Sequence, residues 1–255
     1  MALVSVVSAK GSPGATATAV ALAALWPTDC VLADLDPAGG DVALRWTDSA
    51  GVPLRADGGL VSLGAAMRRG AGTDVGPHLQ QICGGMDVLV GVSSPEQAIG
   101  LGPVWHNLGA ALAAAPGDVV ADCGRVVPGS PTVPVLESSG AVLFVTDAGL
   151  TSLAHLRERL RGLAPQLRFG RPGGVPVGVV VRAPERQSGV TGDVQRLLDS
   201  SGLLVPVVGL VADDPRGVSA LEQQRAGAAR SSFVRSVRGL VPGVVRLLRP
   251  STVLA

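Results

Sequence analysis

Ser8-Ala9-Lys10-Gly11-Ser12-Pro13-Gly14-Ala15-Thr16 follows the apolar run Leu3–Val7 and opens an Ala-rich segment. A strand, a glycine turn and a helix in that order suit a phosphate group. Small residues let backbone N–H groups approach the anion, and the helix N-terminus adds its dipole. Of 21 basic residues only Lys10 is a lysine, a compact ammonium on a flexible stem placed inside this turn. Ala15 stands where the common phosphate-loop pattern, Gly-Lys-Ser/Thr, keeps its lysine, and Pro13 removes one N–H from the cradle. Two further stretches bring acids. Asp34-Leu35-Asp36-Pro37-Ala38-Gly39-Gly40-Asp41 ends one apolar run with carboxylates at alternate positions, and Asp122 ends another, Asp118 to Gly124. Such acids can hold a water or Mg²⁺ beside a transferring phosphoryl group.

The elements that must position these residues can be read from hydrophobic runs. Leu3–Val7, Cys30–Ala33, Met86–Val90, Val119–Ala121, Ala141–Val145, Val175–Val181 and Leu204–Leu210 are continuous rather than alternating, the pattern of strands covered on both faces. Helical segments are expected at Ala15–Leu25, Leu60–Arg69, Val104–Ala115, Leu150–Leu163, Thr191–Ser200 and Val218–Ala226. This alternation predicts one α/β domain over 1–255. Its architecture is a single doubly wound, mostly parallel, seven-stranded sheet with helices on both faces and ligand chemistry at the strands' carboxyl ends.

Composition narrows the partners. A net charge of +1 compels neither nucleic acid nor membrane contact, so any such surface must be local. Three widely spaced cysteines, Cys30, Cys83 and Cys123, form neither a disulfide framework nor a zinc pattern, which favours a reducing, cytosolic setting. Lys10 and the Ala-rich run imitate a secretion signal, but the strand before the lysine and the glycine turn after it argue against one. His78, His106 and His155 share no metal-ligand spacing. Arg157, Arg159, Arg161, Arg168 and Arg171 make a basic patch read as a solvated face. A short-chain dehydrogenase is set aside, because the chain contains no Tyr and the glycine spacing is not Gly-x-Gly-x-x-Gly.

Taken together, the order Lys-Gly-x-x-Gly-x-Thr, Asp-x-Asp-Pro-x-Gly and an apolar run closing on Asp122 resembles the ParA/MinD family of deviant Walker A phosphate-loop ATPases, of the SIMIBI class. Val205 to Pro215 is similar to that family's stretch ahead of a late helix. More narrowly, Lys-Gly-Ser-Pro-Gly-x-Thr with Asp-Pro-Ala-Gly-Gly-Asp resembles actinobacterial ParA/MinD-like proteins of the TadZ/CpaE type, here with a degenerate loop. The resemblance implies ATP or ADP with Mg²⁺, sandwiched in a homodimer. It implies a phosphate-binding loop of Lys10, Gly11, Ser12, Gly14, Ala15 and Thr16. Lys10 would reach the phosphates of the partner subunit, and Asp36 would orient the attacking water. Thr16 and Asp122 would hold the metal, with Asp34 in support. It further implies a protein partner in a pilus, secretion or partitioning machine.

Ala15 in place of the in-loop lysine removes a charge-assisted contact of roughly 1.5–3 kcal/mol, or ~10- to 100-fold, which points to weak or absent hydrolysis. The family often carries an Asn at the end of the sixth predicted strand to read the base, where this chain has Val181 and Arg182. The amphipathic tail 231–249 is expected to dock on the core in preference to the inner face of a membrane, and Pro242 to interrupt it. A constitutive pseudo-ATPase scaffold and an ATP-dependent ligase on the same sheet are the alternatives.

Overall fold

The computed structural model describes residues 1–11, 14–187 and 189–249; Ser12 and Pro13 of the glycine turn lie outside the described residues. Strand β1 (Leu3–Ser8) is apolar on both sides and buried throughout. Leu3 and Val7 face one apolar cluster while Val4 and Val6 face the other, so β1 must sit inside the sheet with both faces covered.

From β1 the chain continues into α1 (Ala15–Ala24), β2 (Cys30–Asp34), α2 (Val42–Arg45), α3 (Leu60–Arg68), β3 (Gln80–Ile82) and β4 (Met86–Leu89). It then builds α4 (Pro95–Leu101), α5 (Val104–Ala113), β5 (Asp118–Arg125), α6 (Val133–Glu137), β6 (Ala141–Asp147) and α7 (Leu150–Leu167). Last come β7 (Val177–Ala183), α8 (Val190–Ser200), β8 (Val207–Ala212), α9 (Pro215–Glu222) and α10 (Ser232–Leu248). The sheet order is β3-β4-β2-β5-β1-β6-β7-β8. Seven of these strands are parallel, as expected for strand and helix in alternation. The sheet has eight strands rather than the seven predicted, because β3 adds an antiparallel edge to β4. Gln80-Gln81-Ile82 is short and polar, as an edge strand can be, and carries no continuous apolar run to reveal it.

Helices α1 and α10 cover one face of the sheet, and α3, α5, α7 and α8 the other. Almost every residue of α1 is buried, because small alanines let it lie close between the sheet and α10. Such a helix has no solvent face to orient it, and its position is fixed by its neighbours. Short helices α2, α4 and α6 escaped the sequence reading because four to seven residues hold too little periodicity.

The tail docks. Phe233, Val234, Val237, Leu240 and Val244 of α10 are buried against β8 and α1, and Arg235, Arg238, Arg246 and Arg249 face solvent. The apolar stripe that a membrane would require is therefore inside the protein. Among the described residues no helix is long and apolar enough to cross a membrane. Pro242 does not interrupt α10, contrary to expectation. It lies on the exposed side, where the carbonyl deprived of a donor can be solvated. At Gly209 of β8 a Cβ would stand only 2.7 Å from Leu240, so the glycine is what lets the helix approach the strand. Leu240→Ala is expected to cost about 2–5 kcal/mol, read as a lower urea midpoint with an unchanged slope.

Candidate functional site

The β1–α1 connection is built from local backbone requirements. Gly11 and Gly14 take φ of 69° and 83°, a left-handed region that side chains disfavour. Gly14 ends the turn and lets α1 begin at Ala15; its carbonyl accepts the Thr18 N–H at 2.9 Å. The N–H groups of Ala15, Thr16 and Ala17 precede the first intrahelical bond. Among the described residues no side chain caps this end, and the first turn holds no acid. An uncapped helix start of this kind receives an anion readily.

It opens on a cleft of about 960 Å³ at the carboxyl ends of the parallel strands. Gly11, Gly14, Thr16 and Asp36 line it together with Gly124, Arg125, Arg182 and the start of α9. A smaller cavity of about 570 Å³ lies at the other end of α1 against Trp26, Trp46 and Met86 and holds none of the motif residues.

The acids take different stations. Asp122 is buried at the end of β5, and its Oδ1 accepts the Gly124 N–H at 3.1 Å. Burial pushes its carboxyl up to about 6, against the opposing pull of the Thr16 hydroxyl and that N–H. Thr16 therefore sits between the cleft and Asp122. Asp36 is on the rim, its Oδ1 accepting the Ala38 N–H at 2.8 Å, and burial raises its carboxyl as well. The carboxylate lies over Gly124, where any Cβ would overlap it.

Asp34 does not join them at the cleft. It is the register partner of Asp122 across β2 and β5, buried, with Oδ2 accepting the Val42 N–H at 3.0 Å. Burial first, and the Asp122 charge second, push its carboxyl up to about 7. Through the Val42 bond Asp34 anchors the 35–42 loop, which carries Asp36, from inside the protein.

Lys10 is exposed and turned out of its own cleft, Nζ 2.9 Å from His155 Nε2 on α7. Ala15 is buried at the helix start, where its methyl offers no charge. The basic patch is divided. Arg161 pairs with Glu158, whereas Arg159 turns inward toward the Ala9 carbonyl beside the loop. Burial and the nearby Arg125 lower the Arg159 pKa. Cys123 is fully buried, which raises its thiol pKa and leaves it a packing residue.

Sequence spacing alone did not assign several cleft residues. Arg45 bridges Asp41 and Glu222, joining α2 to α9 across the cleft rim. Asp214 accepts the Gly217 N–H at 2.8 Å to cap α9 and also accepts from the Ser232 hydroxyl, joining α9 to α10. Those donors hold its carboxyl below the usual range. An Asp-Pro pair before a helix is a readable cap signal; the long-range partner is not.

Among the described residues no cluster of three His, Cys, Asp or Glu side chains could hold a metal by protein ligands alone. The donor set at the cleft, one hydroxyl backed by a buried carboxylate, fits Mg²⁺, which commonly takes one or two protein groups and completes its shell with phosphate and water. The uncapped helix start fits the phosphates.

No protein-family model matches the chain, and no curated protein matches its sequence. Solved structures do. A ParA-family ATPase from Chlorobium tepidum superposes with a TM-score of 0.71 at 17% identity, covering 94% of this chain and 97% of that one. The septum site-determining protein MinD from Pyrococcus horikoshii, solved with Mg-ADP, gives 0.68 at 16% identity, covering 96% of each chain. A McdA variant from Cyanothece, solved with ATP, gives 0.71 at 12% identity, again covering 96% of each. At these identities the likeness is one of fold, and it spans nearly the whole chain.

Between about pH 4 and pH 6 to 7, Asp34 and Asp122 keep protons in the folded protein that the unfolded chain has already released. Their contribution to stability is therefore present at the acid end and falls as pH rises through about 6 to 7. Asp34→Asn is expected to be more stable than wild type at pH 8, with the difference shrinking toward pH 5. Thermal unfolding at the two pH values reads this directly, and a variant less stable at pH 8 would contradict it.

Proposed function

We propose that this chain is a ParA/MinD-like nucleotide-binding protein. It would work as a positioning or scaffolding factor through an ATP-sandwich homodimer, with weak or absent hydrolysis. The observation that carries this reading is the convergence at one cleft of an uncapped α1 start behind Gly14, Thr16 above buried Asp122, and Asp36 on the rim. The fold shared with nucleotide-bound ATPases of known structure supports it.

In this reading the backbone N–H groups of the Gly11–Thr16 turn hold the phosphates of ATP or ADP. Thr16 and Asp122 hold Mg²⁺, which when bound neutralises phosphate charge. Asp36 orients a water. Ala15 withholds the lysine that would serve the chain's own nucleotide, while Lys10, already turned away from its cleft, serves the partner's. Exposed Leu44, Val127 and Leu150 lie in segments that follow the carboxyl ends of β2, β5 and β6. Apolar side chains left in water on the loop face suit a surface that a second copy covers. The narrower kinship with TadZ/CpaE-type factors, and service to a pilus, secretion or partitioning machine, belong to the same proposal and rest on the Lys10-to-Thr16 and Asp36-to-Asp41 motifs. The loss of the in-loop lysine favours one second reading, a pseudo-ATPase with a constitutive binding surface.

Light scattering with and without Mg-ATP separates the two. The expected result is a doubling of mass with nucleotide that Lys10→Ala abolishes. A mass that stays constant, with no nucleotide bound, would overturn the switch and leave the constitutive scaffold.

A further inference from the structure

Three arginines line the cleft, and their surroundings differ. Arg45 is committed to Asp41 and Glu222. Arg125 follows Gly124 at the end of β5 and is exposed. Arg182, at the end of β7, is the one laid against the glycine turn. A Cβ on Gly14 would stand 3.8 Å from Arg182 Cδ and 3.9 Å from Nη1. Because β6 lies between β1 and β7, this side chain must cross the end of β6 to reach the start of α1.

Nothing among the described residues draws it there by a hydrogen bond. The Arg182 Nε is shielded from solvent and has no hydrogen-bond partner. The nearest carboxylate, Asp213, is 3.9 Å away, too far for one. Asp147, its register partner on β6, already accepts from the Gly149 N–H and the Ser152 hydroxyl at 2.8 and 2.7 Å. A guanidinium with spare donors, held over an uncapped helix start whose loop lacks its lysine, has the shape and charge for a phosphate oxygen.

We infer that Arg182 is the phosphate-binding cation of this cleft, taking from β7 the place that Ala15 leaves vacant in the loop. The inference rests on the nucleotide reading above and deepens it. The ligand class is the phosphate chain of a nucleoside di- or triphosphate, contacted by the subunit that owns the loop.

Calorimetric titration of Mg-ATP into wild type, Arg182→Ala, Ala15→Lys and the double variant tests it. Arg182→Ala is expected to bind about 10- to 100-fold more weakly. Ala15→Lys is expected to restore most of that loss, and to add clearly less when Arg182 is present, because the two cations substitute for each other. Arg182 is partly exposed, so the variant should fold, and a thermal melt with a wild-type midpoint verifies it. Unchanged binding by Arg182→Ala would make the arginine a bystander and tighter binding would make it a plug, and either result overturns the inference alone. Equal gains from Ala15→Lys in both backgrounds would do the same. A wild type that binds no Mg-ATP would overturn the nucleotide reading itself, and the inference with it.

Discussion

β1 is hydrogen-bonded on both edges, to β5 and to β6, and this double pairing decides what the start of α1 faces. The register places Val6 beside Asp122, so the turn that leaves β1 rises directly above the acid that ends β5. Because β2 pairs with the other side of β5, Asp34 comes to lie next to Asp122, and the loop bearing Asp36 folds back over Gly124. The chain leaves the sheet centre in one direction through β2 and β4 and in the other through β6, β7 and β8. The reversal opens the crevice in which a ligand can sit.

The charges in that crevice form layers. Two carboxyls are buried beneath the turn, where lost hydration makes protonation easier, and Asp36 stands at the rim. Arg125 and Arg182 lie in its wall, with Lys10 just outside.

Seven strands could be read from continuous apolar runs because parallel strands buried on both faces leave that mark. The eighth could not, since Gln80 to Ile82 owes its conformation to pairing with β4 rather than to its own composition. The amphipathic pattern of 231–249 announced a helix with one apolar side. Whether that side met the sheet or a lipid surface depended on β8 and on α1, the latter more than 200 residues earlier in the chain. Asp34 and Asp36 looked like a matched pair two residues apart. The end of β2 separates them: Asp34 is its last residue and turns its carboxylate into the protein to accept from the Val42 N–H, while Asp36, past the strand end, stays at the cleft.

By itself, the sequence determined the local pieces: a glycine turn with a single lysine, a strand before it, an alanine helix after it, and acids at strand ends. Those follow from backbone freedom, propensity and period, which act over a few residues. Which pieces meet was a matter for the tertiary structure. Arg182 is 168 residues from Gly14 in the chain yet lies against it, and Lys10 turns toward His155, 145 residues on. Sheet order sets such encounters, and it arises from the burial of many side chains at once, which no short stretch encodes.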